Sequence, residues 1–334
     1  MLRWSRPLRL VSCLVLTTAV AASTAPAAST TKPRVAVVIQ ATGCPRGSVQ
    51  LCEGLERATR LTGVQARVMA PTLSEDIGDF LSLTAQQGYE AVVLAGVYPE
   101  PAVVRVMRRH PGVPFITLDI PRSEVRNPPR NLQGVVIQPH EAAFLAGWLA
   151  AKLEARRAGR DAVGVVGGWR SSPVTEFVDG FAAGARHAVP GVKVLVGYAN
   201  EFVDPSKCAA LARRQIARGA GVVFNVAGAC GLGTMQAAAE GRVWAVGVDA
   251  DQSFLGPHVL TSVVKSFEAG FVEVLRQVKA GQVRRGRDTV LTMRDGAASL
   301  GKVSPRVPRP LVRQVEQLRR RIVAGTLGVP APGG

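Results

Sequence analysis

Between Val163 and Lys265, short apolar runs alternate with segments whose apolar residues recur at helical spacing. The runs are Val163 to Val166, Lys193 to Val196, Val222 to Val226 and Val243 to Val248. Strands joined by helical crossovers lie parallel, and a parallel strand covered on both faces reads as an unbroken Val-rich run rather than an alternating one. The pattern therefore restricts the chain to an α/β architecture. It also locates the functional residues, because in open parallel sheets the ligand crevice lies outside the carboxyl ends of the strands. Those ends carry Gly167-Gly168-Trp169, Ala227 to Gly233, and Asp249 to Ser253.

The same alternation begins upstream. Strands are expected over Arg34 to Gln40, Ala66 to Ala70, Ala91 to Ala95 and Pro114 to Leu118, with helices over about Val49 to Leu61, Glu75 to Gln87 and Pro101 to Arg108. The Pro- and Arg-rich stretch from Pro121 to Asn131 shows no periodicity, and the strand Gly134 to Gln138 after it is expected to carry the chain from one lobe to a second. A helix follows from Pro139. Leu260 to Val264 reads as the return crossing, Phe267 to Val278 as a helix docking on the first lobe, and Pro310 to Val323 as the last helix. At 334 residues the chain exceeds the usual domain of about 100 to 200, which agrees with two lobes. The expected division is an N-terminal lobe of 33–133 plus 265–300, a C-terminal lobe of 134–264, and a basic tail of 301–334 not assigned to either.

The first 27 residues set the compartment. Arg3, Arg6 and Arg9 precede an apolar run from Leu10 to Ala22 and then small residues through Ala28, the pattern of a secretory signal, with cleavage expected after Ala27. That run falls short of the about 20 residues needed to span a bilayer, so an exported protein is expected, secreted or at the cell surface or periplasm. Leu10-Val11-Ser12-Cys13 superficially matches a lipid-attachment box, but Cys13 opens the apolar run instead of following it, so lipid anchoring is not favoured. The formal charge of +17 does not indicate nucleic acid: much of it lies in the tail, where no aromatic residue follows Phe271 to stack on bases. A solvated or membrane-facing surface is the expectation there.

Removal of Cys13 leaves Cys44, Cys52, Cys208 and Cys230, an even set suited to an oxidising compartment. Four cysteines allow three pairings. Cys44 and Cys52 flank one short loop, while Cys208 starts a helix and Cys230 follows the next strand, so Cys44–Cys52 and Cys208–Cys230 are expected. Their spacing resembles no zinc site, and no metal is expected.

Longer motifs carry a family resemblance. Val163-Gly164-Val165-Val166-Gly167-Gly168 is followed by Phe177-Val178-Asp179-Gly180-Phe181-Ala182-Ala183-Gly184. With them stand Glu141 to Trp148, Phe202-Val203-Asp204-Pro205, Val226 to Gly233, Gly247 to Gln252, and Leu260 to Lys265. Together these resemble the basic membrane protein family of ABC-transporter substrate-binding proteins, whose best-known members are purine nucleoside receptors. The resemblance is strong from Gln138 to Lys265 and weaker elsewhere. It implies a type I periplasmic-binding-protein fold: two lobes, each with a parallel sheet flanked by helices, joined by a hinge.

It also implies a nucleoside-like small molecule held between the lobes, with no cofactor, and delivery to an ABC permease by a monomeric protein. On the matching positions, Phe177 and Phe202 look like base-stacking residues, Asp249 and Lys265 like ribose contacts, and Gly228 like a close backbone approach. Asp119, ending a first-lobe strand, matches a further ligand contact. The first loop departs from the family: Thr42-Gly43-Cys44-Pro45-Arg46-Gly47 stands where an Asp, an Asn and a Phe are usual, which leaves ligand identity open, and Tyr98 is the candidate replacement aromatic. An enzyme is not expected. His110, His140, His187 and His258 have no local nucleophile motif, no Gly-x-Ser-x-Gly occurs, and Gly228, Gly231 and Gly233 lack dinucleotide spacing. The alternative is a ligand-sensing module of the same fold serving a signalling partner.

Overall fold

The Val-rich runs become the central strands of two six-stranded sheets. The computed structural model describes residues 34–39, 49–71, 76–158 and 162–330. The expected signal over 1–27, the loop Thr42 to Gly47 and Cys44 lie outside them. In chain order the first part comprises β1 (Arg34–Ile39), α1 (Val49–Thr62), β2 (Gln65–Met69), α2 (Ile77–Gln86), β3 (Ala91–Ala95), α3 (Pro101–Arg109), β4 (Phe115–Leu118) and β5 (Leu132–Ile137). Next come α4 (His140–Glu154), β6 (Ala162–Gly167), α5 (Ser172–Ala188), β7 (Lys193–Tyr198), α6 (Pro205–Ala217), β8 (Ala220–Val226), α7 (Gly231–Glu240), β9 (Trp244–Asp249) and β10 (Val259–Lys265). The last part holds α8 (Phe267–Lys279), β11 (Asp288–Leu291), β12 (Ala298–Leu300) and α9 (Arg309–Val323).

The first sheet runs β11-β5-β4-β3-β1-β2, parallel throughout, and the second β12-β10-β9-β8-β6-β7, parallel except for β12. Helices cover both faces of each. In β1, Val35, Val37 and Ile39 enter the core under α1 and α8, while Ala36 and Val38 enter the core under α2 and α3. Side chains alternate faces along a strand, so covering both faces is what makes the run uninterrupted in sequence. In the second lobe α4, α5 and α9 close one face and α6 and α7 the other.

The division of the chain differs from the expected one in three places. Gly134 was expected to open the second lobe, but β5 belongs to the first sheet, between β4 and β11, because Leu132, Val135 and Ile137 are buried in the first lobe's core. The crossing follows at 138–139. The chain returns at Ser266, since β10 pairs in the second sheet and α8 packs on α1, and it crosses again over 292–297 between β11 and β12. Residues 298–300 therefore belong with the second sheet. The tail helix α9 also joins the second lobe, burying Leu311, Val315, Leu318 and Ile322 against α4 at helical spacing while Arg309, Arg313, Arg320 and Arg321 stay exposed.

This packing makes α9 part of the second lobe's core. Leu318→Ala should destabilise the protein by roughly 2 to 3 kcal/mol, the low end for a buried Leu truncation because the residue sits near the surface, whereas Arg320→Ala should stay within about 0.5 kcal/mol. Urea unfolding followed by circular dichroism measures both.

Candidate functional site

The carboxyl ends of β4, β6, β8, β9 and β10 converge on a cavity of about 570 Å³ between the lobes. From the first lobe come Tyr98, Asp119, Ile120, Glu124 and Phe267; from the second Ser171, Pro173, Val174, Phe177, Phe202, Val226, Gly228, Val248, Asp249 and Lys265. All six ligand candidates named from the sequence, Asp119, Phe177, Phe202, Gly228, Asp249 and Lys265, line this one space. So does Tyr98. Two concavities of similar size, about 600 and 630 Å³, lie at the opposite ends of the strands, away from these residues.

Lys265 ends β10 with its side chain 5% exposed, and its Nζ donates to Asp119 Oδ2 at 2.8 Å across the lobe boundary. The other Asp119 oxygen accepts the Ile137 backbone N–H at 3.2 Å. The same ammonium lies 5.3 Å from the centre of the Phe177 ring, within cation–π range. Asp119, directly after β4, and Asp249, the last residue of β9, both adopt left-handed backbone, with φ of 69° and 64°. Asp tolerates that region better than most residues. Such conformations cluster at ligand sites, where the surrounding fold holds the strain.

Phe177 is 4% exposed and packs edge-on to Phe224, so it belongs to the second lobe's core and to the cavity wall at once. Phe202 is 39% exposed, and its ring lies over Gly168 in space that a Cβ there would fill. Its carbonyl accepts the Cys230 N–H at 2.9 Å. Gly228, at φ 55°, passes close to that carbonyl, so the close backbone approach at this glycine is to Phe202. The Cys208–Cys230 disulfide ties the first turn of α6 to the turn after β8, fastening together the two loops that carry Phe202 and Gly228. Cys52 is also disulfide-bonded; Cys44, its expected partner, lies outside the described residues.

Lys265 is the one cation among the described residues lining the cavity, against Asp119, Glu124 and Asp249. Burial pushes the Asp249 carboxyl above its ordinary range, Lys265 opposing the rise and Asp119 adding to it. Glu124 is raised by burial and then by Asp119, again opposed by Lys265. Glu176, on α5 beside Phe177, rises from 4.5 to about 7, through burial; Lys265 opposes, while Asp119 and Glu124 reinforce it. Glu176 is therefore partly protonated near neutral pH and able to donate a hydrogen bond as well as accept one. Sequence reading missed Glu124 and Glu176. Adjacency to Phe177 was a signal for Glu176, whereas Glu124 lies in the aperiodic stretch after β4 and gave none.

Two lobes with a polar and aromatic cavity between the carboxyl ends of their strands define a solute-binding protein of the type I periplasmic-binding-protein class. The chain belongs to the Bmp family, described as ABC transporter substrate-binding protein PnrA-like, whose model matches residues 33–332. Among curated relatives, Basic membrane protein B of Borrelia garinii subsp. bavariensis is 29% identical over 248 residues, covering 73% of this chain and 70% of its own. The ABC transporter nucleoside-binding protein BmpA of Lactococcus lactis subsp. cremoris is 26% identical over 264 residues, 74% of this chain and 72% of its own. An ABC transporter solute-binding protein from Aeropyrum pernix superposes with a TM-score of 0.71 at 20% identity, over 90% of this chain and 94% of that one, which speaks to the fold alone.

The raised Glu176 carboxyl has a consequence for stability. Its folded pKa of about 7 exceeds the ordinary 4.5, so between those values the folded state holds a proton that the unfolded state has lost, and stability falls as pH rises through the window. Glu176→Gln should flatten that fall and raise the melting temperature most on the alkaline side. A fluorimetric melting series across the window checks it; an unchanged slope in the variant removes Glu176 as its source.

Proposed function

We propose that this chain captures a nucleoside-like solute between its lobes, outside the cytoplasm, and delivers it to an ABC permease. One observation carries the reading. Residues picked out on separate motifs, as far apart as the 146 positions between Asp119 and Lys265, line a single cavity with aromatic walls and a polar floor. Phe177 and Phe202 supply flat apolar surface for a base, and the exposed Phe202 ring is the one free to gain contact. Asp119, Asp249, Glu124 and Lys265 supply acceptors and donors for the hydroxyl groups of a ribose. Tyr98, whose hydroxyl donates to the Glu124 carbonyl at 2.9 Å, offers an aromatic surface from the facing lobe.

Capture then works by differential affinity. A ligand touching both walls binds the closed arrangement better than the open one, and that difference alone shifts the population toward the form a permease recognises. No bond in the ligand is broken, so the cargo leaves unchanged.

A thermal-shift screen of purine and pyrimidine nucleosides, free bases and sugars tests the reading, since a ligand at about 100 times its Kd stabilises a protein by roughly 2.7 kcal/mol. Purine nucleosides should raise the melting temperature more than sugars, and Phe202→Ala should weaken them by about 1 to 3 kcal/mol, the range for one base–aromatic stack. A shift with sugars but with no nucleoside would overturn the nucleoside assignment.

A further inference from the structure

The second lobe carries a separate concavity of about 630 Å³ at the amino ends of its strands. Trp244 opens β9 there and His258 immediately precedes β10, while Asp249 faces the interlobe cavity at the other end of β9, roughly 17 Å away at about 3.3 Å per residue. Arg157, Arg242 and Arg306 line the concavity with Trp244 and His258, and no acidic residue does so among the described residues.

Each arginine is placed differently. The Arg306 guanidinium stacks 4.9 Å from the centre of the Trp244 ring, and its Nη1 donates to the Pro257 carbonyl at 3.3 Å. Arg157 is steadied from below by the buried Glu154, 3.6 Å away, and by the Gly221 carbonyl at 3.4 Å. Arg242 holds a left-handed backbone at φ 52°, which directs the start of β9 and leaves its side chain exposed. Burial keeps the His258 imidazole below its ordinary pKa, so it adds a neutral hydrogen-bonding ring instead of a fourth charge. The corresponding concavity of the first lobe also carries three arginines, Arg34, Arg60 and Arg67, and there Arg34 lies 5.7 Å from the centre of the Tyr89 ring and donates to the Gly88 carbonyl, while Arg60 pairs with Glu56.

We propose that the Arg157, Arg242, Arg306 and Trp244 concavity is a second binding site, specific for a phosphate group and independent of the interlobe cavity. A guanidinium fork matches two oxygens of an oxyanion. Three arginines lining one space, with Arg157 and Arg306 each turning one Nη1 to a protein acceptor, still offer more donors than a carboxylate with two oxygens satisfies and suit a tetrahedral phosphate with three or four. The stack on Trp244 fixes one fork before the ligand arrives, lowering the entropy lost on binding. The phosphate belongs either to a soluble phosphate compound or to the headgroup of an anionic lipid.

Calorimetric titration of the full chain with inorganic phosphate, against sodium chloride at matched ionic strength, tests the site. Saturable binding of phosphate and none of chloride is expected. Arg242→Asn keeps a residue that tolerates left-handed backbone and should weaken phosphate about tenfold or more, in line with losing a charge-assisted hydrogen bond. Arg242→Lys, with a point charge in place of a fork, should recover part of the loss. Flotation with phosphatidylglycerol but not phosphatidylcholine vesicles, lost in Arg242→Asn, assigns the lipid source; phosphate binding without flotation assigns a soluble one. Phosphate indistinguishable from chloride, or an Arg242→Asn protein that melts normally and binds phosphate as tightly as the parent, overturns the proposal.

Discussion

Lys265 reaches from the end of β10 in the second lobe to Asp119 at the end of β4 in the first, and the cavity is organised around that contact. An ammonium at 5% exposure is costly to bury unless a carboxylate and further polar groups compensate it. Asp119 provides the carboxylate, and the Ile137 N–H steadies its second oxygen. Removing either partner leaves the other charge stranded, which costs far more than the pair contributes. The same ammonium restrains the upward shifts of Asp249, Glu124 and Glu176, so the protonation state of the whole cavity is referred to one nitrogen.

That arrangement gives the two walls different characters. The second lobe supplies Phe177, held rigidly within its core, and Phe202, positioned by Gly168, Cys230 and the Cys208–Cys230 disulfide. Its surface is shaped in advance. The first lobe supplies Tyr98, Asp119 and Glu124 from the ends of strands and the loops that follow them.

Much of this was legible before any coordinates. Uninterrupted Val runs indicate strands buried on both faces, and the positions following them reached the cavity because parallel strands all point their carboxyl ends the same way. The short β11 and β12, of four and three residues, were not legible, since a few residues without a Val run owe their conformation to the strand beside them. The mistaken boundary at Gly134 has a related origin: pairing with β11 and β4 fixes β5 in the first sheet, and a pairing partner from far along the chain leaves no local trace. Glu124 and Glu176 illustrate the same limit for chemistry, because an isolated glutamate in sequence says nothing about which charges will surround it.

The chain passes between the lobes three times, at 138–139, at Ser266 and over 292–297. A single tether would let one body swivel about the other, but three side by side behave like a strip of leather joining two boards: they fold along one line and resist twisting and sliding. In the capture proposed above, such a hinge would bring the same two faces together at each closure. Alignment of the two walls is then a property of the covalent chain and not of whatever lies between them.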